Sequence, residues 1–172
     1  MKNKGFTLIE LVVTVIIIAL LTAALLVMSR TGGAEAALFR SAQRLALDIS
    51  RQRSNALSAK EFSGEVPCGY GINFNLGSPG SYIIFADRAS DPACATEDHR
   101  YTGPGEMIQE VFLEHGVVIT SPLNNTDIVF KSPEPQVFFN PGPGAAEIIL
   151  GSSKTSVTKR VIVTLAGQIY IE

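Results

Sequence analysis

The stretch KGFTLIELVVTVIIIALLTAALLVM, residues 4–28, decides the fold because it holds the longest uncharged apolar run in the chain. Leu11–Met28 carries no charge, and its polar residues are Thr14 and Thr22. A helix rises 1.5 Å per residue, so such a run matches a hydrocarbon core about 30 Å thick. One carboxylate, Glu10, stands at the start of this run, where insertion into hydrocarbon is unfavourable. The sequence therefore predicts a membrane-spanning helix with an acidic residue that needs a partner.

The residues before this run are short and basic. Lys2 and Lys4 favour a cytoplasmic N-terminus by the positive-inside rule. A secretory signal has its small-residue cleavage site after the apolar region, whereas Gly5 precedes it here. We therefore expect a single-pass protein of the cytoplasmic membrane with its C-terminal domain outside the cytoplasm. A plain N-terminal anchor is the alternative.

The rest of the chain has the size and composition of one soluble domain. The chain has 172 residues, a formal net charge of −2 and a hydrophobic share of 46%. These values allow one domain plus an appendage, and they imply no strongly charged partner such as a polyanion.

A second helical pattern follows the apolar run. Gly32 and Gly33 are poor helix formers, so we expect the helix to loosen or kink there. Beyond them, apolar residues recur at spacings near three and four and predict an amphipathic helix that ends near Phe62–Gly64. The residues of its predicted buried face are Leu38, Ala42, Leu45, Ile49, Ala56 and Leu57.

From Pro67 onward the apolar period becomes two, and turn-forming residues separate short segments. The predicted strands are 69–75, 82–87, 108–113, 117–120, 127–130, 137–140, 147–150, 159–165 and 168–171. Connections this short leave no room for crossover helices, so we expect a largely antiparallel sheet that ends in a hairpin with Gly167 in its turn. The fold class is thus α+β: a long N-terminal helix, membrane-embedded in its first half and amphipathic in its second, packs on an antiparallel β-sheet domain.

Cys68 and Cys94 are the two cysteines of the chain. In a segment predicted to be exported they suggest one disulfide. Closing that loop would contribute roughly 3.5 kcal/mol to stability. Two free buried thiols, or a metal pair of Cys94 with His99, are the alternatives.

One acidic segment is a candidate metal site. It contains Asp87, Asp91, Glu97, Asp98 and His99. Calcium takes six to eight oxygens from a fixed loop, and no loop signature fixes these acids. A solvated acidic loop, with His99 as an ordinary polar position, is therefore the expectation. We predict no metal site and no cofactor, and whether the loop binds calcium stays open. No catalytic constellation is apparent, so the sequence predicts a protein that is not an enzyme.

The stretch GFTLIE, residues 5–10, with the apolar run after it resembles the processing site of type IV prepilins and type II secretion pseudopilins. The resemblance implies cleavage by prepilin peptidase between Gly5 and Phe6 and N-methylation of Phe6. It also implies that Glu10 pairs with the new N-terminal amine of a neighbouring subunit, so that Phe6 and Glu10 drive assembly. Other pilin subunits, the peptidase, the membrane and an inner-membrane assembly platform are the implied partners.

The soluble part is similar to the H-type minor pseudopilins and related minor pilins. This similarity is carried by GYGINFN, YIIFADRASD and KRVIVTLAGQIYIE. It implies a minor pilin or pseudopilin of a type II secretion or type IV pilus system, in a periplasmic or surface filament. The alternatives are a major pilin, a DNA-binding minor pilin of natural transformation, and an exported membrane-anchored enzyme. Nucleic-acid contact would fall on Arg40, Arg44, Arg51 and Arg53.

These observations together predict four regions. Residues 1–5 are a leader peptide cleaved after Gly5, and residues 6–30 are the transmembrane and assembly helix. Residues 31–62 are the amphipathic helix, and residues 63–172 are the β-rich globular domain.

Overall fold

A computed structural model describes residues 7–75, 77–88, 94, 97–122, 125–134, 136–142 and 144–172, and for residues 26–31 it describes the backbone alone. One long helix, α1 (Leu8–Leu57), precedes nine strands in the described chain. The strands are β1 (Gly69–Phe74), β2 (Ser81–Asp87), β3 (Met107–Phe112), β4 (Val117–Ser121), β5 (Thr126–Lys131), β6 (Val137–Asn140), β7 (Ala146–Ser152), β8 (Thr155–Val163) and β9 (Ile169–Ile171). Each predicted strand is found, with ends shifted by a few residues.

The helix α1 passes through Gly32 and Gly33 without interruption. The predicted loosening at this pair is therefore wrong at the level of helical hydrogen bonding. An interior glycine disfavours a helix by about 1 kcal/mol relative to alanine. The alanine-rich turn after the pair favours the helix, and tertiary packing of the second half holds it, which together outweigh that cost.

The helix ends at Leu57, earlier than the predicted end near Phe62–Gly64. Ser58 caps it, and Ala59 has a positive φ of 46°, which takes the backbone out of the helical region. The N–H of Lys60 then donates to the Asn55 carbonyl at 3.1 Å, which closes the last turn. Phe62 lies beyond this turn and forms an isolated bridge with Glu65 instead of a helical turn.

The strands form two antiparallel sheets, with the orders β3-β2-β1-β5-β6 and β4-β7-β8-β9. Every paired neighbour runs antiparallel, as predicted. The sequence predicts a single sheet, and there are two because β4 pairs with β7 rather than with a strand adjacent in sequence. At the C-terminus the predicted hairpin is confirmed: Gly167 has a φ of 71° and donates its N–H to the Thr164 carbonyl at 2.8 Å.

One face of the second half of α1 packs on both sheets. Leu38, Ala42, Leu45 and Ile49 are all at most 1% exposed, as the spacing predicts. Burying a large apolar side chain contributes about 1.5–3 kcal/mol, so this seam fixes the helix on the domain. Leu57 is the exception at 44% exposed. Successive helical residues are about 100° apart, so Leu57 cannot share the face of its buried neighbour Ala56.

The strand β1 shows why the motif GYGINF alternates aromatic and glycine residues. Tyr70 and Phe74 are buried in the core beneath α1. Gly71 lies beneath another aromatic ring, since a Cβ there would come within 2.8 Å of Phe85 and within 2.7 Å of the Ile128 carbonyl oxygen. A side chain at Gly71 would therefore displace the Phe85 ring or the neighbouring strand.

Candidate functional site

The N-terminal half of α1 projects as an exposed apolar rod. Residues Leu8–Leu25 have a mean hydropathy of 2.8, and none of this segment is buried against the rest of the chain. Among the described residues this is the helical segment long and apolar enough to cross a membrane. Such a segment has no partner within its own domain, so a bilayer or other helices must cover it.

The two threonine hydroxyls within this rod are satisfied locally. The hydroxyl of Thr14 donates to the Leu11 carbonyl at 2.8 Å, and that of Thr22 donates to the Ile18 carbonyl at 2.8 Å. Hydrogen bonds of this kind remove most of the cost of a hydroxyl in hydrocarbon. Both threonines are therefore compatible with a membrane span.

Glu10 lies in the first turn of α1, at the end of the rod. Thr7 caps the helix and accepts the backbone N–H of Glu10 at 3.4 Å. The Glu10 side chain is exposed, and within the described part of the chain its carboxylate has neither a hydrogen bond nor an ion pair. Its position near the positive end of the helix dipole is favourable for a carboxylate. Gly5 and Phe6, the predicted cleavage residues, lie outside the described residues.

The predicted disulfide between Cys68 and Cys94 is present, with a Cα–Cα distance of 5.6 Å. It joins the residue before β1 to the segment after β2. Cys68 is itself fixed by the sheet, since its N–H donates to the Asp87 carbonyl at 2.9 Å and its carbonyl accepts from Ser132 at 2.8 Å. The bond therefore ties the connection after β2 to the start of β1, the central strand of its sheet.

The acidic segment beside this disulfide is not fully solvated, contrary to expectation. Asp87 is 1% exposed at the end of β2, and its Oδ2 lies 3.6 Å from Nδ1 of His99. The Nε2 of His99 lies 3.5 Å from Oε1 of Glu97, which also lies 3.5 Å from Nζ of Lys131. The imidazole stacks on Phe138 with ring centroids 3.6 Å apart. His99 is thus a packed residue between two carboxylates, while Asp98 is exposed and Asp91 lies outside the described residues.

The described residues of this segment do not bring together a closed set of metal ligands. Ligand atoms within 4.8 Å of one another belong to Cys68, Cys94 and Glu97. Two of these donors are joined in the disulfide, and a disulfide sulfur is not the thiolate that binds zinc. This arrangement supports neither a zinc centre nor the six or more oxygens of a calcium site.

Burial changes the protonation of this cluster. Burial, together with the charges of Asp98, Glu106 and Glu97, raises the pKa of Asp87 to about 7. Burial also lowers the pKa of His99 below its usual value, although Glu97 opposes this effect. Glu106 is buried and accepts the N–H of Thr102 at 2.7 Å. Asp87 therefore changes charge close to neutral pH.

Asp87→Asn is expected to remove a pH dependence from the free energy of unfolding. The folded pKa of Asp87, about 7, exceeds the value of 3.8 expected for an unperturbed carboxyl, so between these values the folded state keeps a proton that the unfolded state has lost. The stability that Asp87 contributes is fully present below about pH 4 and is lost as the pH rises through about 7. Relative to the variant, wild type should lose up to about 4 kcal/mol across this window.

Thermal unfolding of the full chain in detergent, measured between about pH 4 and 8, tests this expectation. The lowered pKa of His99 has the opposite sign, because stability then falls as the pH drops below about 6.5. Both proteins contain His99, so the difference between their curves isolates Asp87. Asp98→Asn removes one of the charges that raise the pKa of Asp87, so it should weaken the pH dependence without abolishing it. A pH-independent difference between wild type and the Asp87 variant would contradict the expectation.

Three of the four arginines that are candidates for nucleic-acid contact pair with carboxylates of the same chain. Arg40 donates twice to the carboxylate of Glu114, with both distances 2.7 Å. Arg51 donates to Asp48 at 3.1 Å, and Arg44 lies 4.0 Å from the same carboxylate. A phosphate would therefore compete with existing partners for these side chains.

Asp48 is a residue whose importance the sequence analysis missed. Although it lies on the helix that carries the arginines, it is only 5% exposed, at the seam between α1 and the sheets. Its Oδ2 accepts the hydroxyl of Tyr82 at 2.7 Å. Burial, followed by this hydrogen bond, raises the pKa of Tyr82. The sequence does contain a signal for this role. Arg44 lies four residues before Asp48 and Arg51 three residues after it, and helical residues at these spacings can pair with the carboxylate between them.

One known family matches the N-terminal segment that contains Glu10 and the start of the apolar rod. Residues 1–26 match the family described as the prokaryotic N-terminal methylation motif. The chain thus carries the signature of type IV prepilins and pseudopilins, a class whose members are typically structural. The motif implies processing by prepilin peptidase and assembly with other pilin subunits. No curated protein and no solved structure matches the chain.

Proposed function

We propose that this protein is a minor pilin or pseudopilin of a type II secretion or type IV pilus system. The observation that supports this proposal is the exposed apolar rod Leu8–Leu25, which has Glu10 in its first turn and is continuous with the half of α1 that packs on the folded domain. A single rigid helix can hold its N-terminal half in a bundle and its C-terminal half on the domain. The resemblance of the soluble part to minor pseudopilins supports the minor role over the major one.

Processing would create a cation that can pair with the Glu10 carboxylate. Cleavage between Gly5 and Phe6 would release an α-amine at the mature N-terminus, and the peptidase would then methylate it. A carboxylate inside the hydrocarbon costs about 2.5–3.5 kcal/mol on insertion scales, so it favours an environment that supplies a cation. The amine of a neighbouring subunit is such a cation, and pairing with it selects one register between helices.

The apolar helix and the soluble domain would then lie in different compartments. Residues 6–30 occupy the cytoplasmic membrane before assembly and the filament interior afterwards. Residues 31–62 and 63–172 lie outside the cytoplasm, where an oxidising compartment maintains the bond between Cys68 and Cys94. The basic residues Lys2 and Lys4 stay on the cytoplasmic side until the leader is removed.

Mass spectrometry of the mature N-terminus tests this function. In cells that contain prepilin peptidase, the expected N-terminal residue is N-methylated Phe6. Gly5→Val is the matched control, because loss of the glycine should leave the leader attached. Recovery of wild-type protein with an intact Met1 in those cells would contradict the proposal.

A further inference from the structure

Three side chains that can bind a metal meet at the disulfide. One ligand atom each of Cys68, Cys94 and Glu97 lies within 4.8 Å of the other two. Tetrahedral zinc holds sulfur at about 2.3 Å and nitrogen or oxygen at about 2.0 Å, so its ligand atoms stand about 3.3–3.8 Å apart. The three donors are therefore close to the spacing of a zinc site. The bond between the two sulfurs prevents zinc from binding, because the ligand form of cysteine is the thiolate.

The carboxylate of Glu97 has one oxygen without a partner. Its Oε1 lies 3.5 Å from Nε2 of His99 and 3.5 Å from Nζ of Lys131. Its Oε2 is buried and accepts no hydrogen bond from the described residues. Buried carboxylates are normally paired or bound to a metal. Because Lys131 supplies a positive charge, a zinc ion held by two thiolates and Glu97 would complete a neutral cluster.

His99 lies where a fourth ligand would stand. Its Nε2 is 3.5 Å from Oε1 of Glu97, close to the ligand spacing at zinc, and stacking on Phe138 fixes the plane of the ring. On the other side of the ring, Nδ1 lies 3.6 Å from Oδ2 of the buried Asp87, and neither atom has a hydrogen-bond partner among the described residues. An Nδ1–H that donates to Asp87 would leave the lone pair of Nε2 free. Histidines that bind metals commonly have such a carboxylate behind them.

The backbone keeps Cys68 in place when the disulfide is open. Its N–H donates to the Asp87 carbonyl at 2.9 Å, and its carbonyl accepts the N–H of Ser132 at 2.8 Å, so neither bond involves the sulfur. Cys94 lies in the connection after β2. Rotation of its side chain is enough to bring the two sulfurs to the separation of about 3.8 Å that zinc requires.

We propose that the dithiol form of this chain binds one Zn²⁺ at this cluster. The ligands are Cys68, Cys94, Glu97 and His99. Asp87 is a positioning residue, because it acts on the metal through His99. Cysteines enter every chain as thiols, so the dithiol form precedes the disulfide, and the metal would hold the connection between β2 and β3 on the core at that stage.

Zinc and oxidation compete for the same two sulfurs. When Zn²⁺ binds, each thiol releases its proton. When the disulfide of an oxidant then exchanges with the two thiolates, the bond between Cys68 and Cys94 forms, the oxidant takes up the two electrons and two protons to become a dithiol, and Zn²⁺ returns to solution. The oxidised chain therefore has no zinc site.

Metal binding by the full chain in detergent tests the site. A phosphine reduces the disulfide: the phosphine becomes its oxide with the oxygen of one water molecule, and the two sulfurs take the protons of that water. Co²⁺ is the probe, since thiolate ligands in tetrahedral geometry give a charge-transfer band and intense visible bands. We expect one Co²⁺ per reduced chain, displaced by one Zn²⁺, and no bands from the oxidised chain.

Substitutions distinguish this site from two thiols alone. Glu97→Gln and His99→Ala should each lower the zinc affinity of the reduced chain by about tenfold or more, since outer-shell partners alone contribute that much. Competition with a chelator measures the affinity. Glu134→Gln is the matched control for Glu97, because Glu134 lies 3.8 Å from the same Lys131, and His115→Ala, at an exposed histidine, is the control for His99. Both controls should keep the affinity of wild type.

Asp87 has a test of its own. Asp87→Ala should lower the zinc affinity and leave the Co²⁺ bands in place, because it removes no ligand. Asp87→Asn, which keeps an oxygen that accepts the Nδ1–H of His99, should restore part of the affinity.

The melting temperature is the second measurement. Zinc at about a hundredfold excess over its dissociation constant should raise the melting temperature of the reduced chain by about 5–10 °C and leave that of the oxidised chain unchanged. Equal zinc affinity of wild type, Glu97→Gln and His99→Ala, or a reduced chain without Co²⁺ bands, would overturn the proposal. Neither result bears on entry into filaments, so the proposed function would stand.

Discussion

Glu10→Ala is expected to lower incorporation of this protein into filaments at least tenfold. A tenfold change corresponds to about 1.4 kcal/mol per subunit, which is a modest share for an ion pair shielded from water. The variant keeps the cap at Thr7, since that bond uses the backbone N–H of Glu10. The loss should therefore come from the missing carboxylate and not from fraying of the helix.

The effect of Glu10→Ala on the membrane-inserted monomer should have the opposite sign. Removing a carboxylate relieves an insertion cost of about 2.5–3.5 kcal/mol, so the fraction inserted should rise or stay the same. A general folding defect would instead lower insertion and assembly together. Alkaline extraction of membranes and recovery of sheared filaments measure these two quantities on the same cells.

Glu35→Ala is the matched control, since Glu35 is an exposed carboxylate on the same helix beyond the apolar rod. Its incorporation should equal that of wild type. Glu10→Gln keeps the shape and the hydrogen-bonding capacity of the side chain and removes its charge, so it should resemble Glu10→Ala. Wild-type incorporation of both Glu10 variants would contradict an assembly role for this carboxylate.

Local patterns predict the elements of this fold because each one is encoded in neighbouring residues. The uncharged run Leu11–Met28 and the period-two strands are such patterns, and the structure contains both. The assignment of β4 to a second sheet depends on pairing with β7, far along the chain. Neither strand carries a short-range signal for that pairing, so the sequence predicts strands without their order.

The burial of two aspartates, Asp48 and Asp87, is a second feature that the sequence does not predict. An aspartate in a charged segment is usually solvated, and Asp98 follows that expectation. Asp48 and Asp87 do not, because the buried position of each depends on a distant side chain, Tyr82 in the first case and His99 in the second. Composition describes a residue's average environment, whereas these two environments exist only after the sheets and the disulfide have formed.

Replacing both cysteines, Cys68→Ser with Cys94→Ser, is expected to lower the free energy of unfolding by about 3.5 kcal/mol. The two residues are 26 positions apart, and the estimate follows from the entropy that closing such a loop removes from the unfolded chain. For a domain of this size the melting temperature should fall by roughly 10–15 °C. Reducing the disulfide of wild-type protein should produce a similar fall, and a loss below about 1 kcal/mol by both routes would contradict the estimate.

The same double variant should also weaken the pH dependence of Asp87. The disulfide fixes Cys94, and His99, a few positions later, lies 3.6 Å from the Asp87 carboxylate and contacts Glu97 on its other side. Without that bond this segment can move away, so water reaches Asp87 and its pKa falls toward the usual value. Asp87→Asn made in the cysteine-free background should then change the pH profile less than it does in wild type. An unchanged effect would mean that packing of His99 on Phe138 holds the segment without the disulfide.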